Sequence, residues 1–256
     1  MLYETLKLNE KYIEKIAKRE IYAVLVKRFI TPSLAAELAE KIMSRGYEYY
    51  ENATEIGRIG MAFYETERDP NKIASYFDKA AENIADLRER CSPLLCPIDL
   101  LRCTLDEIWP AGALLETLYG KKMFVGLSRV VEPNITFLAH HDLFSKDAPD
   151  CFKAHSLEAQ IACNIYLKMP VDGGGLQMWE TQLSPVEFDS MRQNSYGIPP
   201  ANLGEPSLTI QPEPGDLILF NSQLMHAVEE GGSSPRLSLS CFVGYRGPST
   251  PLSFWS

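Results

Sequence analysis

Apolar side chains recur every three or four residues through much of the first 119 positions, which is the spacing of amphipathic helices. The predicted helices cover residues 9–19, a segment that begins after Thr31, a segment that begins after Asp69, and residues 97–108 and 110–119. Thr31 and Asp69 each precede a proline, which is typical of a helix N-terminus. Between these helices, the β-branched run 21–30 predicts a strand, and residues 49–69 predict a loop or a strand.

After Gly120 the pattern changes to short β-branched or aromatic runs separated by Gly, Pro, Asn and Asp. These runs lie at 122–133, 159–170, 174–181, 206–212, 215–222 and 236–246. Helices first and strands afterwards favour an α+β fold over an alternating α/β fold. We therefore predict a single domain over 1–256, in which a mainly helical buttress (1–119) supports a β-sandwich or barrel (120–256).

Composition narrows the class of protein. The 256 residues carry 34 acidic and 25 basic side chains, a net charge of −9, which argues against a nucleic-acid partner. No apolar run approaches the ~20 residues of a membrane span, and the first residues lack a secretory signal. We therefore predict a cytoplasmic protein whose six cysteines are reduced, with a disulfide or metal cluster of Cys91, Cys96 and Cys103 as the alternative. The sequence makes no prediction of the oligomeric state.

Histidine is scarce, and two of the four histidines belong to a pattern that indicates chemistry. His140 and Asp142 lie two residues apart, so an extended backbone points both to the same face. His226 follows the apolar run 216–220, and Arg236 comes ten residues later. Two histidines and one carboxylate make the facial triad of non-haem Fe(II) oxygenases. Arg236 could neutralise the carboxylate of an oxo-acid cosubstrate, with Ser238 on the same strand face as a second donor.

This pattern resembles the Fe(II)/2-oxoglutarate-dependent oxygenases over about 120–246. The HxD pair, the distal histidine and the Arg-x-Ser match that family in order and spacing, as do IYLKMPVDGGGLQMW and PEPGDLILFNSQLMHAV. The resemblance implies a double-stranded β-helix, or jelly-roll, fold. It also implies three cofactors or cosubstrates, Fe(II), 2-oxoglutarate and O2. Fe(II) would sit on His140, Asp142 and His226, with Arg236 and Ser238 at the far carboxylate of 2-oxoglutarate.

The resemblance also bears on the reaction and the substrate. Some members of the family that install chlorine carry Gly or Ala in place of the aspartate, so the resemblance and Asp142 together imply hydroxylation or desaturation, with release of succinate and CO2. The segment AHSLEAQIACNIYLKMP is similar to a bacterial subgroup that acts on free amino acids, including radical halogenases of lysine-type substrates. It implies L-lysine or a similar basic amino acid as the small-molecule substrate.

Such a substrate needs a cation for its carboxylate and acidic or aromatic groups for its ammonium ends. Arg58 and Arg68 are the candidates for the carboxylate. The candidates for the ammonium ends are Glu132, Asp147, Asp150, Trp179 and Glu180. Arg58, Glu132 and Trp179 stand as the predicted substrate residues.

Several alternatives stay open at this stage. His141 could replace His140 as a ligand, but Leu143 then occupies the position that needs an acid, so we expect a structural or supporting role. His155 is expected to be structural or loop-borne, with a substrate contact as the alternative. The substrate could instead be a peptide, a protein or another small molecule. A jelly-roll metal-binding sensor without turnover is the alternative from another class, and it leaves Arg236 and Ser238 unexplained.

Overall fold

The computed structural model describes residues 1–50 and 53–256, with only the backbone at 53–55. The helices are α1 (Glu10–Ala17), α2 (Pro32–Ser44), α3 (Pro70–Cys91), α4 (Pro97–Ile108), α5 (Phe144–Asp147), α6 (Phe152–His155) and α7 (Pro185–Arg192), with 3-10 turns at Phe63–Thr66 and Pro200–Leu203. The first strands are β1 (Leu2–Thr5), β2 (Ala23–Val26), β3 (Glu48–Tyr50), β4 (Ala53–Ile59), β5 (Ala113–Leu115), β6 (Thr117–Leu118), β7 (Lys121–Lys122) and β8 (Leu127–Val131). The remaining strands are β9 (Phe137–His140), β10 (Ala159–Lys168), β11 (Leu176–Met178), β12 (Leu208–Ile210), β13 (Leu217–Asn221), β14 (His226–Val228), β15 (Arg236–Tyr245) and β16 (Leu252–Trp255).

Most strands join one of two facing sheets. The large sheet has the order β1-β2-β13-β10-β15-β8-β4-β3, with β16 and β5 branching from β15. The smaller sheet has the order β12-β11-β14-β9. Apolar side chains from both sheets pack into one buried cluster, which includes Tyr166 and Phe220 of the large sheet and Leu176 and Met178 of the smaller one. The α+β class predicted from the sequence is therefore confirmed.

The helices cover the other face of the large sheet. Ile13 of α1, Leu38 of α2 and Leu101 of α4 are fully buried in a core that they share with strands β10, β13 and β15. Burying aliphatic side chains of this size contributes about 1.5–3 kcal/mol each. The large sheet is thus apolar on both faces at its centre. Polar groups can therefore occupy only those parts of the space between the sheets that lie away from this centre.

The predicted helix starts are confirmed. The Thr31 hydroxyl accepts from the Leu34 N–H at the start of α2, and the Asp69 carboxylate accepts from the Asn71 and Lys72 N–H groups at the start of α3. The strand predicted at 21–30 forms at Ala23–Val26. The predicted helix over 110–119 is wrong. Its residues form β5 and β6 because β5 pairs in parallel with β16, at the far end of the chain.

Strands from the first 119 residues also extend the large sheet at both edges. β2 pairs with β13 and carries β1 at its outer edge, and β4 pairs with β8 and carries β3. The first half of the chain therefore does more than supply helices, because β3 and β4 also bring side chains to the space between the sheets. No helix within 1–50 and 53–256 has the length and apolar character to cross a bilayer. All six cysteines are free thiols.

Candidate metal centre and cavity

The strand register of the smaller sheet brings the two candidate histidine ligands together. His140 of β9 and His226 of β14 are direct cross-strand partners, with ring centroids 4.4 Å apart. Asp142 follows β9, where its backbone N–H donates to the Ser222 carbonyl over 2.8 Å. One ligand atom from each of the three side chains lies within 4.8 Å of the others. Within the described part of the chain, this is the one group of three or more such residues with metal-binding spacing.

The hydrogen bonds of the two rings leave the nitrogens that a metal needs. His140 Nδ1 lies 2.8 Å from the Leu138 carbonyl oxygen, and His226 Nδ1 lies 2.9 Å from the Leu224 carbonyl oxygen. A carbonyl only accepts, so each Nδ1 carries the proton and each neutral ring keeps a lone pair on Nε2. The Nε2 of His226 is 3.4 Å from Asp142 Oδ2. This orientation is typical of metal-ligating histidines, so the three residues fit a divalent iron ion.

The electrostatics of the centre keep His140 neutral and Asp142 charged. Burial, followed by the nearby His226, lowers the pKa of His140 to about 4. Burial alone would raise the pKa of Asp142, but the hydrogen bond and charge of His226, with His140, lower it to about 2. At neutral pH, His140 therefore offers a lone pair and Asp142 a carboxylate to a cation.

Arg236 and Ser238 face this centre from the large sheet. Both side chains are buried on the same face of β15, and the Arg236 guanidinium packs against the rings of Phe137 and Tyr166, at 5.5 and 5.9 Å from their centroids. In the described residues, no carboxylate lies within 4 Å of this guanidinium, and its Nε has no hydrogen-bond partner. A buried guanidinium without an anion beside it destabilises the fold. This side chain therefore fits the far carboxylate of an oxo-acid such as 2-oxoglutarate.

A cavity of about 1080 Å³ between the sheets connects these residues. Its walls include the three candidate ligands, Arg236 and Ser238, together with residues of the first half of the chain, such as Tyr50 and Tyr64. Ligand pockets usually enclose about 300–1,000 Å³. The cavity is therefore large enough for a cosubstrate and a small substrate together.

Three further candidates from the sequence also line the cavity: Arg58, Arg68 and Asp147. Arg58 is already neutralised, since its Nε lies 2.7 Å from Glu65 Oε2 and its Nη1 lies 3.2 Å from Glu48 Oε2. Burial, followed by the charge of Asp142, raises the pKa of Asp147 to about 7. Arg68 is exposed.

The structure places the other substrate candidates elsewhere. Trp179 lies just after β11 and turns into a separate apolar cluster, where its indole N–H donates to the Gly204 carbonyl over 2.9 Å. Glu132 accepts a 2.8 Å hydrogen bond from the Tyr47 hydroxyl, outside this cavity. Asp150 and Glu180 are exposed and do not belong to the cavity lining either. Sequence spacing could not predict the positions of Trp179, Glu180 and Asp150, because these depend on how the loops after β11 and α5 fold.

The remaining histidines are not in the candidate ligand group. His141 lines the cavity and packs on Phe188, with ring centroids 4.5 Å apart. Neither ring nitrogen has a hydrogen-bond partner in the described residues, and burial lowers the pKa of His141 to about 4. His155 is exposed, and its Nε2 lies 2.7 Å from the Pro149 carbonyl oxygen.

Sequence reasoning missed Arg129. This residue of β8 lines the cavity, and its Nη1 donates to the Ser240 hydroxyl over 3.2 Å. The signal was present in the run Leu127-Ser128-Arg129-Val130-Val131, since strand alternation places a charged side chain on the same face as Leu127 and Val131. A charge on an inward strand face is unusual, and so marks a residue with a ligand or a partner.

Comparison with known proteins supports this interpretation of the site. Residues 125–244 match the family model described as the 2OG-Fe(II) oxygenase superfamily. The chain is 31% identical over 150 residues to L-gamma-glutamyl-L-propargylglycine hydroxylase of Streptantibioticus cattleyicolor, a match covering 58% of this chain and 54% of that protein. The chain thus spans about half the length of this curated relative.

Two solved structures share the fold. Both are structures of an N-substituted L-amino acid dioxygenase from Burkholderia ambifaria, and one of them is a complex with alpha-KG. Each aligns with a TM-score of 0.65 at 18% identity, over 96% of this chain and 90% or 91% of the other. The likeness confirms the jelly-roll fold predicted from the sequence.

The matched segment holds the candidate ligands as well as Arg236 and Ser238. Residues 125–244, just under half of the chain, are thus similar to the 2OG-Fe(II) oxygenase superfamily, and the predicted cofactors, Fe(II) and 2-oxoglutarate, are those in that family's description.

Proposed function

We propose that this protein hydroxylates an amino-acid substrate at the expense of 2-oxoglutarate and O2, releasing succinate and CO2. One observation carries the proposal. Two imidazoles and a carboxylate converge within 4.8 Å, and the same cavity holds a buried arginine that lacks a carboxylate partner among the described residues. Bound Fe(II) with its cosubstrate would supply the oxidising power of the reaction.

The chain's own residues would bind and orient the reactants. His140, Asp142 and His226 would hold Fe(II) through one face, which leaves positions open for the cosubstrate and for O2. Arg236 would bind the far carboxylate of 2-oxoglutarate, with Ser238 as a second donor. The apolar walls around His226, such as Phe220 at 4.9 Å between ring centroids, would exclude water from the reacting carbon.

Asp142 favours hydroxylation over halogenation. Its carboxylate occupies the third ligand position, which a chlorinating member of the family leaves for halide. The backbone bond from Asp142 to Ser222 holds it there without any help from an ion.

The names of the relatives support an amino-acid substrate. One is a hydroxylase of L-gamma-glutamyl-L-propargylglycine, and the other is a dioxygenase of N-substituted L-amino acids. L-Lysine, expected from the sequence, stays a prediction. Asp147 is the candidate partner for a substrate ammonium, since it lines the cavity whereas Glu132 and Trp179 do not.

Spectroscopy and product analysis test the proposal. Under anaerobic conditions, Fe(II) with 2-oxoglutarate should give a weak visible charge-transfer band. In air, the right amino acid should stimulate succinate release and gain one oxygen atom by mass. Asp142→Ala should lower succinate release about 100-fold or more, as expected for loss of a metal ligand. The exposed Asp150→Ala should behave as wild type.

Two results would count against this function. A folded protein without the band would exclude the proposed cosubstrate site. A band without succinate, for any substrate tried, would favour the alternative of a metal-binding sensor.

A further inference from the structure

A second arginine lies beside Arg236 in the cavity. Across the β8–β15 pairing, Arg129 is opposite Ser238, and Val131 is opposite Arg236, so the two arginines are diagonal neighbours on one sheet face. Diagonal side chains on a sheet are about 7–8 Å apart, within reach of long side chains. Both side chains line the cavity that holds the candidate metal ligands.

Within residues 1–50 and 56–256, the side chains beside Arg129 carry hydroxyl groups. Its Nη1 donates to the Ser240 hydroxyl over 3.2 Å, and the nearby side chains of Tyr64 and Tyr50 raise the pKa of Arg129 against the effect of burial. These two hydroxyls lie 3.1 Å from each other, and their rings stack with centroids 6.5 Å apart. The two tyrosines therefore stand beside the guanidinium, and Glu65 interacts with its charge at longer range.

Two neighbouring guanidinium groups without acids are unfavourable unless anions bind. No carboxylate of residues 1–50 or 56–256 lies within 4 Å of Arg129, just as for Arg236. Burial lowers the pKa of Arg236, and the charge of Arg129 lowers it further. Arg58, in contrast, has Glu65 and Glu48 as partners. The cavity therefore presents two guanidinium groups that have no carboxylate within 4 Å among residues 1–50 and 56–256.

The proposed function, on which this inference rests, accounts for only one of them. One carboxylate of 2-oxoglutarate would bind at the metal and the other at Arg236. Arg129 lies on the side where Tyr50 and Tyr64 of the first half of the chain close the cavity.

We propose that Arg129 binds a carboxylate of the substrate and thereby selects which carbon faces the metal. Tyr50 and Tyr64 are the residues that position the guanidinium. The substrate class is then an amino acid or amino-acid conjugate with a free carboxylate. A substrate anchored by this group needs no ammonium contact, so an acylated amine is compatible with the site.

Calorimetric binding to the Mn(II)·2-oxoglutarate complex under anaerobic conditions tests the proposal. The probes are the proteinogenic L-amino acids, their N-acetyl and γ-glutamyl derivatives, and the carboxamide of the tightest binder. Wild type should bind the acid at least about tenfold more tightly than its carboxamide, since a charge-assisted bidentate contact is lost in the amide. Arg129→Gln should remove this preference and keep the affinity for 2-oxoglutarate within about threefold. Arg129→Lys should restore part of the preference, since it keeps the charge but not the fork.

A matched comparison separates the possible failures. Arg236→Gln should show the opposite pattern, with weakened 2-oxoglutarate binding. If Arg129→Gln instead weakens 2-oxoglutarate about tenfold and leaves the acid-to-amide preference unchanged, Arg129 belongs to the cosubstrate and the proposal is wrong. The proposal is also wrong if wild type binds 2-oxoglutarate but no carboxylate probe. Wild type that fails to bind 2-oxoglutarate overturns the proposed function itself.

Tyr64→Phe keeps the test decisive if Arg129→Gln does not fold. It removes the Tyr64 hydroxyl from beside the guanidinium and leaves the charge of Arg129 in place. It should therefore reduce the acid-to-amide preference by a smaller factor, about threefold. An unchanged preference in Tyr64→Phe, with Arg129→Lys also like wild type, would exclude Arg129 as the substrate anchor.

Discussion

At the scale of the residue, one backbone carbonyl orients each of the two candidate histidine ligands. Leu138 and Leu224 each accept the Nδ1 proton of the histidine two residues later, so both Nε2 atoms are directed before an ion binds. Each bond contributes about 1 kcal/mol and, more importantly, selects one tautomer. The ligand spacing could be predicted from the sequence because strand alternation relates His140 to Asp142. The tautomer could not, because it depends on the local path of the chain after each strand begins.

Asp147 gives a prediction at the same scale. Burial and Asp142 raise its pKa to about 7, so the folded metal-free protein holds this proton more tightly than the unfolded chain does. Its contribution to stability is therefore fully present at acidic pH and is lost as the pH rises towards 7. Asp147→Asn should raise the Tm of metal-free protein at pH 8 by roughly 2–5 °C and change it little at pH 4.5. Thermal unfolding with a chelator measures this, with the exposed Asp150→Asn as the control. A Tm gain of equal size at both pH values would contradict it.

At the scale of the element, the pairing register of distant strands determines where the other residues of the site lie. His226 and Arg236 could be found from the sequence because they lie ten residues apart around one connection. Arg129 could not, because its position opposite Ser238 depends on the pairing of β8 with β15, two segments more than a hundred residues apart in the chain. Trp179 failed as a substrate candidate for a similar reason, since the loop after β11 turns it away from the cavity.

The wrong helix over 110–119 also has a tertiary cause. The segment forms β5 against β16, and Glu116, which follows β5, is fully buried. Its carboxylate accepts from Arg246 Nη2 over 2.8 Å and from the Ser253 hydroxyl over 2.7 Å, and it also pairs with Lys153. A local helical pattern loses to these contacts because all three partners come from beyond residue 150.

This buried cluster predicts a large effect of one conservative change. Glu116→Gln leaves the Arg246 guanidinium buried without its anion, which typically costs about 3–5 kcal/mol of unfolding free energy. Urea unfolding should show this loss, whereas Glu107→Gln on the exposed side of α4 should change stability by less than about 0.5 kcal/mol. A loss below about 1 kcal/mol for Glu116→Gln would mean that the cluster does not hold β5 in place.

Charge is distributed unevenly at the scale of the whole molecule. The chain carries a net charge of −9, yet the cavity between the sheets holds two arginines without a carboxylate within 4 Å among the described residues. Because the cavity is enclosed by two sheets, these charges are poorly solvated. The protein without ligands is therefore destabilised at the site that the proposed cosubstrate would occupy, and binding should show as a gain in stability.

Thermal unfolding of the whole protein makes this measurable. With Mn(II) present, 2-oxoglutarate at about 100 times its Kd should stabilise the fold by about 2.7 kcal/mol, a Tm gain of roughly 5–10 °C. Arg236→Met should abolish that gain.

Without ligands, Arg236→Met should melt no lower than wild type, since it removes a buried unpaired charge and the repulsion from Arg129. Arg58→Met is the matched control and should melt lower, because it leaves Glu65 without its partner. Equal destabilisation by both substitutions in the ligand-free protein would show that Arg236 has a structural anion that the proposed site does not include.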